Sequence, residues 1–519
     1  MTNLLSAIFL VPLLAAALVL FIPRPYRFLI RLVALAATLG SMALAFALFL
    51  KFDSAPAVDG FKFNVQHPWA PSLGISYHVG VDGLNLGLIV MGAIVAFAAA
   101  CASHEIKSRE KDYYVLLLLM SGGILGAFAS LDLFFLYFFH ELALVPTFIM
   151  IGVWGRGEER NYATFKMTLY LSLGALIALA GLIALYFESG AKTFDIVALT
   201  RHVQDNPRML PAGAQGYIFP LLLFGFGILV SLWPFHTWAP LGYGAAPTAT
   251  AMLHAGVLKK FGLYGLIRVA LPLLPEGSQA WLHLLAWLCL GNIVYCGLVA
   301  ARQRDLNLLI GNSSVAHMGF VFLGIASLNL IGITGAVVVM VAHGLLAALT
   351  FGLAGYLRQQ TGTVDMDRLG GLMRPMPFIG SAFVMAALAG CGLPGFGNFA
   401  GEIMVLFGAW RPFGLVTVFA AWGALVIGAV YMLRAVRNIL HGPLESHLPA
   451  VADASAWRKV PFVLLLAVLL ALGIWPRLLV DKVQPAVEPI VKLANGPEFK
   501  RSAQAAGKQA ELREAPRSQ

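Results

Sequence analysis

Leu388-Ala389-Gly390-Cys391-Gly392-Leu393-Pro394-Gly395-Phe396-Gly397-Asn398-Phe399-Ala400-Gly401-Glu402 lies inside an apolar stretch that runs from 377 to 410. At 1.5 Å per residue, that stretch is too long for one straight helix across a hydrocarbon layer of about 30 Å. Gly390, Gly392, Pro394, Gly395 and Gly397 remove a backbone donor and add backbone freedom near its middle. A helix broken at that point fits best. Broken helices survive at membrane depth only where protein or a water-filled cavity satisfies the freed backbone groups. In many transporters they mark ion sites.

The rest of the chain reads the same way. Its 519 residues are 59% hydrophobic and 12% charged, against roughly a quarter charged in soluble domains. Mean hydropathy is +0.81. The pattern predicts an all-α polytopic membrane protein with about fourteen spans, each about twenty residues. They fall near 4–22, 28–50, 84–103, 113–130, 132–153, 163–187, 217–240, 247–270, 280–300, 306–327, 331–357, 377–410, 414–438 and 459–480. The first reads as a retained helix, because it lacks a basic leading region and a clear cleavage site. Span 217–240 holds Pro234 and is expected to be broken too. Pro234 and Pro394 stand 160 residues apart, which hints at two inverted units.

The net charge of +10 is expected to reflect topology. Loops after odd-numbered spans hold Arg24, Arg27, Lys107, Arg109, Lys111, Arg156, Arg160, Arg302 and Arg304, among others. The positive-inside rule puts them in the cytoplasm and both termini on the outer, periplasmic side of a bacterial inner (plasma) membrane. The tail after about residue 481 is polar; part of it is expected to form a surface helix, and the last fifteen residues to be disordered.

Cys101, Cys289, Cys296 and Cys391 all lie in apolar stretches, and none forms a CxxC pair. The chain offers no iron–sulfur or zinc framework and no glycine-rich phosphate loop after a strand. No redox centre, nucleotide site, cofactor or metal is therefore expected in it, and no nucleic-acid partner.

The chemistry rests on ionisable side chains at membrane depth, each costing about 2.5–3.5 kcal/mol on insertion scales. The candidates are Glu141, Lys166, Lys259, Lys260, His317, His343 and Glu402. Glu141 needs a partner on another helix or a proton, and Lys166 is the nearest lysine in sequence. Adding a positive charge beside a Glu–Lys pair pulls it apart, so proton uptake at one site drives release at another. Buried lysines make usable proton carriers. Lys259 and Lys260 are about 100° apart on a helix, so one is expected to face inward and the other to snorkel or pair elsewhere. Ser313 and Ser314 precede His317 by four and three residues and form one polar stripe with it. Asn398 and Glu402 share a face beyond the break. Taken singly, a buried histidine is more often a satisfied core residue, and a Glu–Lys pair can be a static ion pair. It is their number that points to proton movement.

Six segments carry a resemblance to a known family: Gly80-Val81-Asp82-Gly83, His140-Glu141-Leu142-Ala143-Leu144-Val145-Pro146, His236-Thr237-Trp238-Ala239-Pro240, Lys260-Phe261-Gly262-Leu263-Tyr264-Gly265, Ser313-Ser314-Val315-Ala316-His317-Met318-Gly319, and Leu393 to Glu402. Together they resemble the antiporter-like proton-channel subunits of NADH–quinone oxidoreductase, respiratory complex I, with subunit M or chain 4 the most similar type. The resemblance covers roughly residues 75 to 440. It implies fourteen helices, two inverted five-helix repeats and broken helices seven and twelve. The units would be 1–110 (helices 1–3), 111–270, 271–440, and 441–519 (last span and polar tail). It further implies proton translocation through Glu141, Lys166, Lys260, His317, His343 and Glu402, driven by quinone reduction elsewhere. The implied partners are L- and N-type antiporter-like membrane subunits, lipid and protons.

There is one departure. The family usually carries a lysine seven residues before the His236 position, as partner of the Glu141 position; here Leu229 stands there. Lys259 or Lys166 is the expected substitute. Competing readings are a multi-subunit cation/proton antiporter, a membrane-bound hydrogenase subunit, a non-conducting membrane scaffold and a stand-alone solute carrier.

Overall fold

The computed structural model describes residues 4–496. Twelve of the described helices are long and apolar enough to cross a membrane. The chain opens with α1 (Leu4–Phe21), α2 (Arg27–Lys51), α3 (Gly83–Ala102), α4 (Glu110–Ala129), α5 (Leu133–Trp154) and α6 (Arg160–Ser189). A short amphipathic α7 (Ile196–Asp205) leads to α8 (Ala212–Val230) and α9 (Trp238–Ala245), the two halves of the first broken span. Residues 248–273 form α10, which is wound with two π turns. Then come α11 (Pro275–Arg302), α12 (Leu306–Ala326) and α13 (Leu330–Thr361). The second broken span is α14 (Pro377–Gly390) and α15 (Gly397–Trp410). The chain ends in α16 (Gly414–Leu440), α17 (Ala456–Ile474) and α18 (Arg477–Ala494). The expected spans 247–270 and 377–410 are helical but interrupted, so they stand outside the twelve.

Short polar side chains start these helices. Asp82 and Asn85 form a reciprocal capping box on α3, and Asp132, Asp195, Asp305 and Asn329 accept from the first turns of α5, α7, α12 and α13. Every residue of α10 is buried, and so is all of α12 except Leu308. A helix apolar on all sides belongs in the middle of a bundle. With α13 these two make the core, while α1, α6 and α17 turn large apolar side chains outward.

The structure differs from the sequence expectation at two points. The loop between the second and third spans holds an antiparallel sheet, β1 (Ala57–Val58), β2 (Phe61–Ala70) and β3 (Ile75–Val81), in the order β1-β2-β3. The alternation of Phe61-Lys62-Phe63-Asn64-Val65-Gln66 is the period of a half-buried strand. Second, the last span stops at Ile474 rather than near 480; α18 is a separate helix begun after Trp475-Pro476. The last fifteen residues, expected to be disordered, lie outside the described residues.

Polar contacts tie each end of the bundle. On the face of the sheet, His78 pairs with Asp195, and Asp132 accepts from the Ser76 amide at 2.9 Å. Arg268 of α10 meets Asp82 at 2.6 Å and so staples α10 to α3. Gly83 lies against the carbonyl of Lys482; a Cβ there would come within 1.6 Å, so only glycine lets α18 cross. On the opposite, basic face, Arg156 pairs with Glu105, which also accepts from the Thr248 amide at 2.8 Å and caps α10.

At the first break the chain leaves α8 through Ser231, at φ +77°. The side-chain amide of Asn292 on α11 donates to the Ser231 carbonyl at 2.8 Å and to that of Val315 at 3.3 Å, and accepts from the Trp233 amide at 2.8 Å. One side chain thus satisfies backbone groups freed by the break. Replacing Asn292 with alanine strands those groups. The expected cost is about 1–3 kcal/mol, read as a lower melting temperature of the purified protein in detergent.

Candidate functional site

Two glycines let the central helices meet. A Cβ on Gly256 of α10 would lie 3.0 Å from the Gly344 carbonyl of α13, and one on Gly344 would lie 2.8 Å from the Gly256 carbonyl. Small residues of this kind bring helix backbones together in membranes. The approach carries Lys260 onto His343: its Nζ stands 2.9 Å from His343 Nδ1 and donates to the Ala255 carbonyl at 2.6 Å. The His343 ring lies 5.3 Å from that of His317 on α12. His317 Nε2 lies 3.6 Å from Glu402 Oε1 on α15. His317 Nδ1 faces the Ser313 carbonyl at 2.8 Å. All four side chains are buried.

Lys259 adds a branch. Its Nζ donates to Ser314 Oγ at 3.0 Å and lies 5.4 Å from the centre of the Tyr243 ring. Ser313 Oγ is 3.0 Å from the Tyr431 hydroxyl on α16. The Ser313–Ser314–His317 stripe therefore serves three helices. Of the two expected fates of the other lysine, snorkelling and pairing elsewhere, the structure has the second: Lys259 is 1% exposed and Lys260 0%, and Lys259 bonds to Ser314. α10 is enclosed on all sides, so no side chain on it reaches solvent by turning through 100°. The π turn just before the lysines, where the Lys259 amide bonds back five residues to His254, shifts the register further. Among the described residues neither lysine has a carboxylate within 4.0 Å.

The second break shapes the Glu402 end. Gly392 has φ +66° and Gly395 φ +106°, conformations that glycine adopts without strain. A Cβ on Gly392 would sit 2.6 Å from Glu402 Oε2. The break thus leaves room for the carboxylate as well as turning the chain. Beside it, Ile293, Ala316, His317, Phe320, Gly390 and Glu402 line part of a cavity of about 10 Å³, the lower limit for one water.

Glu141 and Lys166 stand apart from this line. The Glu141 side chain is 33% exposed on the flank of the bundle, and its ion-pairing neighbour is His140, 3.2 Å away. Lys166 lies on α6 near His236, with its Nζ 5.6 Å from the Tyr162 ring centre. Among the described residues neither Lys259 nor Lys166 forms an ion pair with Glu141: Lys259 bonds to Ser314 of α12, and Lys166 lies by Tyr162 and His236. Sequence reading gives no reason to single out Asn292 or Tyr431, because nothing local marks a polar residue that completes a distant helix. Several buried atoms have no hydrogen-bond partner among the described residues: His236 Nδ1, the Tyr243 hydroxyl, His254 Nδ1 and the Asn398 amide. They flank the two breaks and the lysines, where polar atoms of this kind are normally met by ordered water.

A family model for the NADH:quinone oxidoreductase/Mrp antiporter transmembrane region matches residues 130–435, more than half the chain. The chain belongs to the NADH:quinone oxidoreductase/Mrp antiporter family. The matched region spans both helix breaks and all seven candidate residues. NADH-quinone oxidoreductase subunit M of Rhodobacter capsulatus is 34% identical over 95% of this chain and 97% of its own length. An NAD(P)H-quinone oxidoreductase chain 4 of Picosynechococcus is 35% identical over 90% and 88%. In the solved structure of respiratory complex I from Thermus thermophilus, one chain superposes with a TM-score of 0.86 at 28% identity, over 95% of this chain and all of that one. A chain of the Mrp complex from Dietzia shares the fold, with a TM-score of 0.80 at 21% identity, over 95% of this chain and 99% of its own.

Within this family fold, the fit between Gly392 and Glu402 can be tested directly. Gly392→Ala is expected to push the Glu402 carboxylate away from His317 and to strain the break by about 1–3 kcal/mol. A structure of the variant should show the His317–Glu402 separation lengthened.

Proposed function

We propose that this chain is the proton-translocating membrane subunit of an NADH–quinone oxidoreductase, with Lys260, His343, His317 and Glu402 as its proton line and Lys259 as a branch on Ser314. The observation that carries this reading is the run of contacts from Lys260 through His343 and His317 to Glu402, buried and starting from two lysines that, among the described residues, have no carboxylate within 4.0 Å. Two ammoniums side by side in a medium of low dielectric repel each other strongly. A proton arriving at one is therefore paid out by the other or by its histidine neighbour, and the pair titrates as a unit. His343 and His317 pass the proton because an imidazole accepts on one nitrogen and donates from the other. Glu402, at the helix break, is the terminal acceptor. The relatives from Rhodobacter capsulatus and Picosynechococcus are subunits of NADH- and NAD(P)H-quinone oxidoreductases.

Quinone reduction in partner subunits supplies the energy. Moving one charge across 100 mV takes about 2.3 kcal/mol, within reach of coupled buried charges. Glu141 and Lys166, on the flank, are read as the points where a neighbouring membrane subunit of L or N type influences the line. The chain sits in a bacterial inner membrane with its basic face cytoplasmic and both termini on the periplasmic side. Residues 111–270 and 271–440 are two inverted five-helix units, and the chain itself holds no redox centre or nucleotide site.

The test uses the intact complex in proteoliposomes. Glu402→Gln and Lys260→Ala should each lower the protons moved per electron by about twofold or more, while a conservative Lys260→Arg change keeps part of the coupling. A non-conducting scaffold would keep the full ratio in all three variants.

A further inference from the structure

His140 stands between Glu141 on the flank of the bundle and Phe261 on α10. Its side chain is 2% exposed, whereas that of Glu141, the next residue, is 33% exposed. Its Nδ1 lies 3.2 Å from Glu141 Oε1. Its ring stacks on Phe261 of α10, with centroids 4.0 Å apart and planes 20° from parallel. Phe261 directly follows Lys260 in the chain. His140, Lys259 and Lys260 all lie close enough to His254 for their charges to act on it. Near the flank, Tyr137 lies within reach of Glu141 and donates to the Ala175 carbonyl at 3.3 Å. His254 Nδ1 is buried and has no hydrogen-bond partner among the described residues.

A histidine stacked on an aromatic ring is usually a packing residue. Three features go beyond packing here. The ring is tied by one nitrogen to a carboxylate at the bundle's flank. It lies flat against the residue beside the central lysine. Glu141 itself has no lysine partner among the described residues.

We propose that His140 is a proton-carrying residue that joins Glu141 to the lysine pair of α10, an inference that rests on the proton-translocating reading above. The step moves one proton between His140 Nδ1 and Glu141 Oε1. An imidazolium and a carboxylate become an imidazole and a carboxylic acid, so net charge is unchanged and only N–H and O–H bonds are exchanged. The proton given up is replaced from the α10 side, where His254, Lys259 and Lys260 are the titratable groups. Charge at the flank is thereby felt at Lys260 through one intermediate side chain.

The experiment measures protons moved per electron by the intact complex in proteoliposomes. His140→Phe keeps a flat ring on Phe261 but carries no proton. His140→Gln keeps an N–H donor towards Glu141 but does not titrate. Both are expected to lower the ratio about twofold or more, towards the level of Lys260→Ala. If His140→Phe does not assemble, the glutamine variant decides. A wild-type ratio in the assembled variants, with Lys260→Ala defective, overturns the role of His140 and leaves the proton line standing. A wild-type ratio in Lys260→Ala as well overturns both.

Discussion

The amine of Lys260 is held in a core where, among the described residues, no carboxylate lies within ion-pairing distance, and its polar neighbours are an imidazole and a backbone carbonyl. Charging it under those terms is expensive, and much of the architecture answers to that cost. α10 must be central, because any position at the rim would let the lysine escape to the headgroups. It must also lie close to α13, and the facing glycines at 256 and 344 allow the approach. The π turn before the lysines sets which way they point. Tyr243 and Ser314 hold the second lysine off the first.

The two helix breaks serve the same end from opposite sides of the core. Each opens backbone groups that lipid could not satisfy; a side chain from another helix meets them at the first, and at the second the Gly392 and Leu393 amides turn back to the Ala389 and Leu388 carbonyls at 3.1 Å. Asn292 does this for the first break. At the second, Gly473 of α17 lies so near the Gly395 carbonyl that a Cβ would come within 2.2 Å. The freedom gained there is used by Glu402, whose carboxylate occupies the space that Gly392 leaves free. The ends of the bundle are fixed differently, by oppositely charged pairs such as Arg268–Asp82 and Arg156–Glu105. Rigid ends and an adjustable, partly unpaired middle suit a molecule that moves charge without moving helices far.

Much of this was legible in the chain itself. The spans follow from runs of about twenty apolar residues, since crossing a bilayer imposes a length. The breaks follow from Pro234, Pro394 and the glycines around them, since those residues cannot continue a helix unassisted. The stripe of Ser313, Ser314 and His317 follows from helical spacing alone, and the structure gives each member a partner on another helix: Tyr431, Lys259 and Glu402. The β-hairpin at 61–81 was readable from its alternation, but ten residues of alternation carry less weight than twenty residues of hydropathy.

What the sequence determined by itself is therefore periodic: which segments enter the membrane, where they fail to stay helical, and which ionisable side chains are carried inside. Pairing was decided only by the tertiary structure. That Lys260 meets His343, that Lys259 turns to Ser314 instead of Glu141, and that Glu141 is left with His140 depend on how closely α5, α10, α12 and α13 approach one another. The approach is set by a few glycines and a π turn, each a small local change whose effect appears only several turns away on another helix. Hydrophobic periodicity records how a helix meets its solvent, but it holds no record of which neighbour lies across the gap.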